Sequence, residues 1–491
     1  MRAGTIVASN YLEMARLLAE SFLDQHPGHT FAILVVDDLP VGDLGGAGDT
    51  SEGASADADT GTAEGDGGRE FDIVRLGDLD LTEAELDRMK TIYDVMELST
   101  AVKPSFLKLL LADDPIAAYL DPDIFVYAPF AELLAPVETA GIVLTPHVLD
   151  PIPRDGTHPN ERMIMGSGIF NLGFIGVGRS AIGFLDWWQE RLLVDAVSDI
   201  EANLFTDQRW IDWVPAIFGC VVLRDPGMNV AWWNIHERDL RVAEPRAERP
   251  SRHGDMTGGA VQANGSALRF VHFSGYDPAT PELLSKHQQN PRTAHAEGSV
   301  IRRLADRYGA ALEANGHHER RRTPYQWNTT PSGRDLPGFV RALCRRELLN
   351  GERTGTEAGA LNTSTPMAFG PDEDRFEDWL SEPIAGSGPI RFTRLEVALY
   401  DSRPDLQAAF PQRDGNDAVK FRDWLDHDPS VPETLGDRWV APDPDQPADD
   451  DTSPAPAGLA APARSFARRA AGKARRELTP YVERARAKVG R

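Results

Sequence analysis

Residues 4–38 read GTIVASNYLEMARLLAESFLDQHPGHTFAILVVDD. Gly4–Ser9 is a short apolar run of strand character. Leu12, Ala15, Leu18, Ala19 and Phe22 then recur at helical spacing, and Pro27-Gly28 ends the pattern. Phe31–Asp38 is a second buried strand. Strand, helix and strand within about 35 residues make a βαβ unit, which requires parallel pairing and sets the chain in the α/β class.

Working outward, FDIVRL (71–76) resumes as a strand after residues 41–69, whose Gly, Ala, Asp, Ser and Thr content predicts a disordered loop insertion. LTEAELDRMKTIYD is a helix opened by a Thr82–Glu85 capping box, and KPSFLKLLLA is a helix with Pro104 in its first turn. GIVLTP (141–146) is a further strand, and AIGFLDWWQERLLVDA an amphipathic helix. The glycine-crowded GSGIFNLGFIGVG (166–178) reads as a strand or hairpin edge. CVVLRDP and LRFVHFSGY supply late strands. Residues 1–290 therefore form one α/β domain, a Rossmann-like, mostly parallel sheet with flanking helices. Residues 291–440 read as a mainly helical accessory or acceptor region. Within it FEDWL (376–380) and FRDWL (421–425) suggest shared helix packing more than a true repeat. Residues 441–460 read as a flexible acidic linker and 461–491 as a basic amphipathic tail, a candidate for peripheral contact with anionic membrane.

The 491 residues carry a formal charge of −25, with a pI near 4.9. Such a field repels nucleic acid, and an anionic substrate would need a metal or placed cations. Two cysteines, Cys220 and Cys344, are expected as free buried thiols of a reducing compartment. With no apolar signal region behind the basic start and no run of about 18 apolar residues, the expectation is a cytoplasmic protein, peripheral at most to the inner face of the membrane.

The chemistry concentrates in AAYLDPDIFVYAPF (117–130), where two carboxylates locked by a proline interrupt apolar sequence. In extended backbone Asp121 and Asp123 project together, and where a strand emerges they suit Mg²⁺ or Mn²⁺. The competing reading is a polar turn. His272 is a candidate third ligand. Asn171 and Gly173 mark a place where backbone could approach a sugar, and Asp207-Gln208 either a sugar-binding corner or a helix start capped by Thr206. Lys103 is either a phosphate counter-charge or a surface lysine.

Together these segments resemble the GT-A glycosyltransferases, family 8 in particular. The resemblance rests on Ala8-Ser9-Asn10-Tyr11, Tyr119-Leu120-Asp121-Pro122-Asp123, Phe170-Asn171-Leu172-Gly173, Asp207-Gln208 and His272-Phe273-Ser274-Gly275, in the family's order. It implies a GT-A fold and an Mn²⁺ or Mg²⁺ ion held by Asp121, Asp123 and His272. It further implies a nucleotide-diphosphate sugar donor (a UDP-sugar favoured), a glycan or lipid-linked acceptor, and retention at the anomeric carbon. Ser9, Asn10 and Tyr11 would meet the nucleotide, Lys103 the diphosphate, and Asn171, Gly173 and Gly275 the donor, with Asp207 and Gln208 at the reaction centre. Tyr276-Asp277-Pro278 stands where the family carries its diphosphate lysine, and Lys286 is the candidate substitute. Arg209 replaces a second acid. A nucleotidyltransferase would want a Gly-rich phosphate loop, and a haloacid-dehalogenase phosphatase a Ser or Thr where Phe125 stands. A non-catalytic carbohydrate-binding protein on a degenerate transferase fold remains the alternative.

Overall fold

β1 (Arg2–Val7) and β2 (Thr30–Val35) pair in parallel from Arg2 and Thr30 to Val7 and Val35. α1 (Leu12–Gln25) crosses between them with the five predicted apolar residues fully buried. The computed structural model describes residues 1–38, 71–243, 259–292, 298–353, 361–362 and 364–435. The insertion, linker and tail expected at 41–69, 441–460 and 461–491 lie outside them. β3 (Asp72–Arg75) extends the sheet beyond β2. α2 (Glu83–Ile92) opens with the predicted capping box, Thr82 Oγ1 accepting from Glu85 N at 3.2 Å and Glu85 Oε2 from Thr82 N at 2.8 Å. α3 (Val95–Ala101) and α4 (Lys103–Asp113) then carry the chain to β4 (Ile116–Leu120), which pairs in parallel with the free flank of β1.

This return to the opposite side of β1 creates a topological switch point. In open α/β sheets the crevice outside the carboxyl ends of such strands is where ligands bind. β5 (Ile124–Val126) follows β4 at once. β6 (Ile142–Pro146), β7 (Phe170–Gly178) and β8 (Val221–Val222) complete a seven-stranded sheet of order β8-β6-β7-β4-β1-β2-β3. It is parallel except for β7, which runs antiparallel to both β4 and β6. The mostly parallel α/β architecture expected from the sequence is thus the one observed. One detail differs: β7 is no edge. All nine of its residues are buried between two neighbours, and its glycines admit Leu134 and Val137, which pack over Gly176 and Gly178.

Between β5 and β7 lies α5 (Glu161–Ser167), and after β7 comes α6 (Ile182–Leu192). β9 (Phe270–His272) pairs antiparallel with β5, outside the main sheet. Beyond it follow α7 (Val300–Ala314), α8 (His317–Arg320), α9 (Gly338–Arg353), α10 (Glu373–Ser381) and α11 (Ala418–His427), with a hairpin at Pro383–Thr393. Val340, Leu343, Phe376 and Leu425 share one apolar core with Ile6 and Tyr119 of the sheet, and Met1–Val440 clusters as a single compact unit. Arg341, 4% exposed, ties α9 to the end of α2 by donating to the carbonyls of Lys90 at 2.7 Å and Tyr93 at 2.5 Å, acceptors a helix end leaves unpaired. The FEDWL and FRDWL segments each stack a Phe on the Trp three residues on, Phe376 on Trp379 and Phe421 on Trp424, as shared packing predicts. Cys220 is half-buried and Cys344 buried, both free, and burial pushes the Cys344 thiol up to about 12. No helix among the described residues is long and apolar enough to cross a membrane.

His26 fixes the end of α1. It stands 3.0 Å from Phe22 O through Nδ1, while its Nε2 accepts from Phe130 N at 2.9 Å, a pattern only the neutral ring satisfies. Burial accordingly lowers it from 6.5 to about 4. As pH falls from about 6.5 to about 4, the unfolded chain takes up a proton that the folded one refuses, so stability falls across that window. At about 1.4 kcal/mol per pH unit the loss from His26 approaches about 3 kcal/mol. Urea unfolding at stepped pH should show it, with a shallower fall in His26→Gln. Equal slopes in the two proteins would remove His26 as the cause.

Candidate metal centre

The Asp121-Pro122-Asp123 segment is a turn that also brings two carboxylates to one place. Ile124 N bonds back to Asp121 O at 3.1 Å, closing the turn as chain passes from β4 to β5. Asp121 N is held by Gly173 O at 2.9 Å, and Asp123 O receives Phe273 N at 2.8 Å. The β5–β9 register then sets His272 opposite Ile124. The result brings Asp121, Asp123 and His272 together, with ligand atoms within 4.8 Å of one another.

His272 Nε2 lies 3.0 Å from Asp123 Oδ1 and 3.6 Å from Asp121 Oδ2. Its Nδ1 faces Asn229 Oδ1 at 3.3 Å. A carbonyl oxygen there requires Nδ1 to carry the hydrogen, which leaves the Nε2 lone pair aimed at two carboxylates. Three electron-rich groups face one another, and the buried Asp123 Oδ1 has one neighbour to pair with among the described residues, the His272 ring, a partner only when Nε2 is protonated. A cation in their midst resolves the conflict, so these residues fit a divalent ion. Without one, a proton serves. Burial pushes the imidazole down, but Asp123 and Asp121 outweigh it and hold it above its ordinary value. Burial likewise raises the Asp121 carboxyl against the pull of Lys103 and His272, while Tyr119 Oη donates to its Oδ1 at 2.8 Å.

The other predicted residues surround this centre, several in places the sequence did not suggest. Lys103 is neither on the surface nor free for a diphosphate. It is 1% exposed, pairs with Asp207 Oδ2 at 2.6 Å, donates to Leu172 O at 3.1 Å and sits 4.1 Å from the centroid of the Tyr119 ring. Asp207 is correspondingly shut in, at 2% exposure. Gln208 spends its side chain on backbone: Oε1 accepts from Leu172 N at 2.9 Å, and Nε2 donates to Ser167 O at 2.8 Å. Asn171 Oδ1 accepts from Asn229 Nδ2 at 3.0 Å and from Gly173 N at 3.1 Å. The neighbour that comes close to Gly173 is the His272 ring, since a Cβ there would lie 2.3 Å from His272 Cε1.

The turn Ser9–Tyr11 leaves β1 at the same sheet edge. Asp37 holds it, accepting from Ser9 N at 2.6 Å and Ser9 Oγ at 3.0 Å, and Arg320 Nε donates to Ser9 O at 2.9 Å. Tyr11 meets His317 edge-on at 5.8 Å. Part of the C-terminal helical region therefore braces the predicted nucleotide turn. Gly275 takes φ +70, and a side chain there would strike His287 and Ser285. Its carbonyl accepts from Lys286 N at 2.8 Å, which brings exposed Lys286 back to within three residues of His272.

Sequence reasoning missed Asn229, His147, Trp233 and Asn234. Asn229 is fully buried at φ +50, a conformation non-glycine residues seldom adopt. Asn234 holds its carbonyl at 2.9 Å. His147, lowered by burial to about 4, accepts from Asn171 Nδ2 through Nε2 at 3.3 Å, and Trp233 lies edge-on to both histidines. The crowded GMNVAWWN (227–234) was the available signal, a polar pair bracketing tryptophans.

Asn229→Leu should lower stability, because leucine is strained at φ +50 and strands Thr145 and Asn171, and in the protein that remains folded should weaken Mn²⁺ binding by about 10- to 100-fold, the usual cost of losing a ligand's supporting hydrogen bond. Calorimetric titration checks this, and unchanged affinity would show that Asn229 does not set the His272 tautomer. Lys103→Met strands the Asp207 carboxylate and should cost about 3–5 kcal/mol in urea unfolding. A loss under about 1 kcal/mol would mean that solvent reaches the pair.

No protein-family model matches the chain, and no curated protein matches it. Among solved structures it is similar to the galactosyltransferase LgtC in complex with donor and acceptor sugar analogs, at 15% identity and a TM-score of 0.35, over 67% of this chain and 99% of that one. It is also similar to mouse xyloside xylosyltransferase 1, at 12% identity and 0.32, over 55% and 96%, and to the bifunctional glycosyltransferase WbbM, at 14% and 0.30, over 47% and 40%. Likeness of this degree leaves reaction and substrates to be read from the chain's own residues.

Proposed function

We propose that the protein is a divalent-metal-dependent glycosyltransferase that moves a sugar from a nucleotide-diphosphate donor, a UDP-sugar favoured, to a glycan or lipid-linked acceptor with retention. The observation that carries this reading is the His272 lone pair, set by Asn229 and aimed at Asp121 and Asp123. It stands at the switch point of a parallel sheet, beside a turn suited to a nucleotide.

A bound Mn²⁺ or Mg²⁺ would offset the diphosphate charge and ease its departure. The chain's own residues bind and orient. The Ser9–Tyr11 turn receives the nucleotide, with Asn10 Oδ1 buried and unpartnered among the described residues. Lys286, exposed beside the Phe273–Tyr276 turn, is placed to meet the diphosphate in the role first read for Lys103. Asp207 and Gln208 act by position, holding Lys103 and the start of β7 beneath the donor sugar. In the transfer, the acceptor hydroxyl oxygen bonds to the anomeric carbon. The bond from that carbon to the diphosphate oxygen breaks with its electron pair on oxygen, and the hydroxyl proton passes to that phosphate. No protein nucleophile is required, in keeping with the closed environment of Asp207.

Thermal unfolding with a panel of nucleotide-diphosphate sugars, each with and without Mn²⁺, tests the reading. A ligand at a hundred times its Kd adds about 2.7 kcal/mol. One donor should stabilise the wild type only with metal and leave Asp121→Asn/Asp123→Asn unmoved. No shift with any donor would sink the proposal. Metal-dependent binding without donor consumption would instead identify a non-catalytic nucleotide-sugar binder, the reading that the displaced lysine favours.

A further inference from the structure

We propose that the cavity walled by residues 152–162 takes the acceptor, and that Arg154 and Arg162 hold an anionic group on it, a phosphate or a carboxylate. That the ligand is an acceptor rests on the transferase reading, whereas the anion rests on independent geometry.

The cavity measures about 490 Å³, within the range of about 300–1,000 Å³ usual for small-molecule sites. Its distance from the reaction centre follows from α5. Glu161 and Arg162, at the start of that helix, line the cavity, and Ser167, at its end, accepts from Gln208 Nε2 at 2.8 Å. Seven helical residues span about 10 Å. The cavity therefore opens about 10 Å, the length of a disaccharide rather than of one sugar, from the residues placed under the donor.

Its wall is built. Arg292 grips Asp155 through Nε at 2.9 Å and Nη2 at 3.2 Å, and also bonds the carbonyls of Pro153 and Pro159. His158 N bonds to Asn290 O at 3.0 Å, and Glu237 holds the amides of Leu149 and Asp150. Asp155 is thereby matched, whereas the guanidiniums of Arg154 and Arg162 are exposed and have no ion-pair partner among the described residues. His158 Nδ1, in the same wall, is buried and unpartnered there. Glu161 is the opposing carboxylate, one against two guanidiniums. In a chain of formal charge −25, two uncommitted arginines lining one cavity are a local reversal of sign. They suit an anion that the rest of the surface repels.

The test titrates the full chain, without nucleotide or divalent ion, with glucuronate, glucose 6-phosphate and neutral methyl glucoside, read by calorimetry. The wild type should prefer the charged sugars by about tenfold or more. Arg154→Gln/Arg162→Gln should lose that preference, and Glu161→Gln should strengthen it. All variants should still bind UDP with Mn²⁺, which shows them folded. Equal binding of charged and neutral sugars by the wild type, or a preference that survives in Arg154→Gln/Arg162→Gln, overturns the proposal. Co-sedimentation with phosphatidylglycerol against phosphatidylcholine vesicles separates the sources. Arginine-dependent binding to the former, with free sugars failing, makes the anion a lipid headgroup, whereas failure of both arms overturns the site. If the charged preference holds but UDP with Mn²⁺ does not bind, the anion site stands and the transferase reading falls.

Discussion

Two carboxylates, Asp121 and Asp123, meet where one buried strand ends, a third, Asp207, is linked to them through Lys103 and Tyr119, and the polar structure around them follows from the need to balance their charge. An unpaired buried carboxylate is too costly to persist. Lys103 answers Asp207 and lies against the Tyr119 ring; the Tyr119 hydroxyl answers Asp121; His272 answers Asp123. One permanent cation and one titratable ring among three acids leave a deficit. That deficit is the physical basis for expecting a divalent ion, and it is independent of any resemblance.

The supporting residues serve the same balance from the other side. Asn229, Asn171, His147 and Gln208 form a chain of amide and imidazole contacts behind the ligands. Each spends its capacity on a neighbour or on backbone, so none is left to compete for an ion that Asp121, Asp123 and His272 could hold. Such a fully partnered network favours one arrangement of the ligands over looser alternatives. Gly173 completes it by omission, since the His272 ring occupies the volume a side chain would fill.

Much of this was legible in the sequence where the signal was local. The βαβ unit, the Thr82–Glu85 capping box and the convergence of Asp121 with Asp123 follow from periodicity and spacing, and each is where it was read. Glycine content misled at β7, because glycines that mark an edge and glycines that admit a close neighbour look alike in one dimension. Lys103 misled for a related reason: a lysine in a helix's first turn gives no sign that a carboxylate 104 positions later will bury with it. Asn229 and His147 were invisible because their roles exist only once β6, β7 and β9 are adjacent. The texture change near residue 290 was real in composition, yet the helices beyond it share the sheet's core.

The pairing of β5 with β9 has a consequence for how the molecule is made. The strand bearing His272 leaves the ribosome about 150 residues after Asp123. At about 5–20 residues per second this is roughly 7–30 s. Throughout that interval the nascent chain carries its acidic turn without the imidazole, and β5 presents an unpaired edge of the sort that invites mispairing. Tyr119 and Lys103 are synthesised earlier, so the acids' first partners are waiting when the turn emerges. The order of residues along the chain thus doubles as an order of neutralisation.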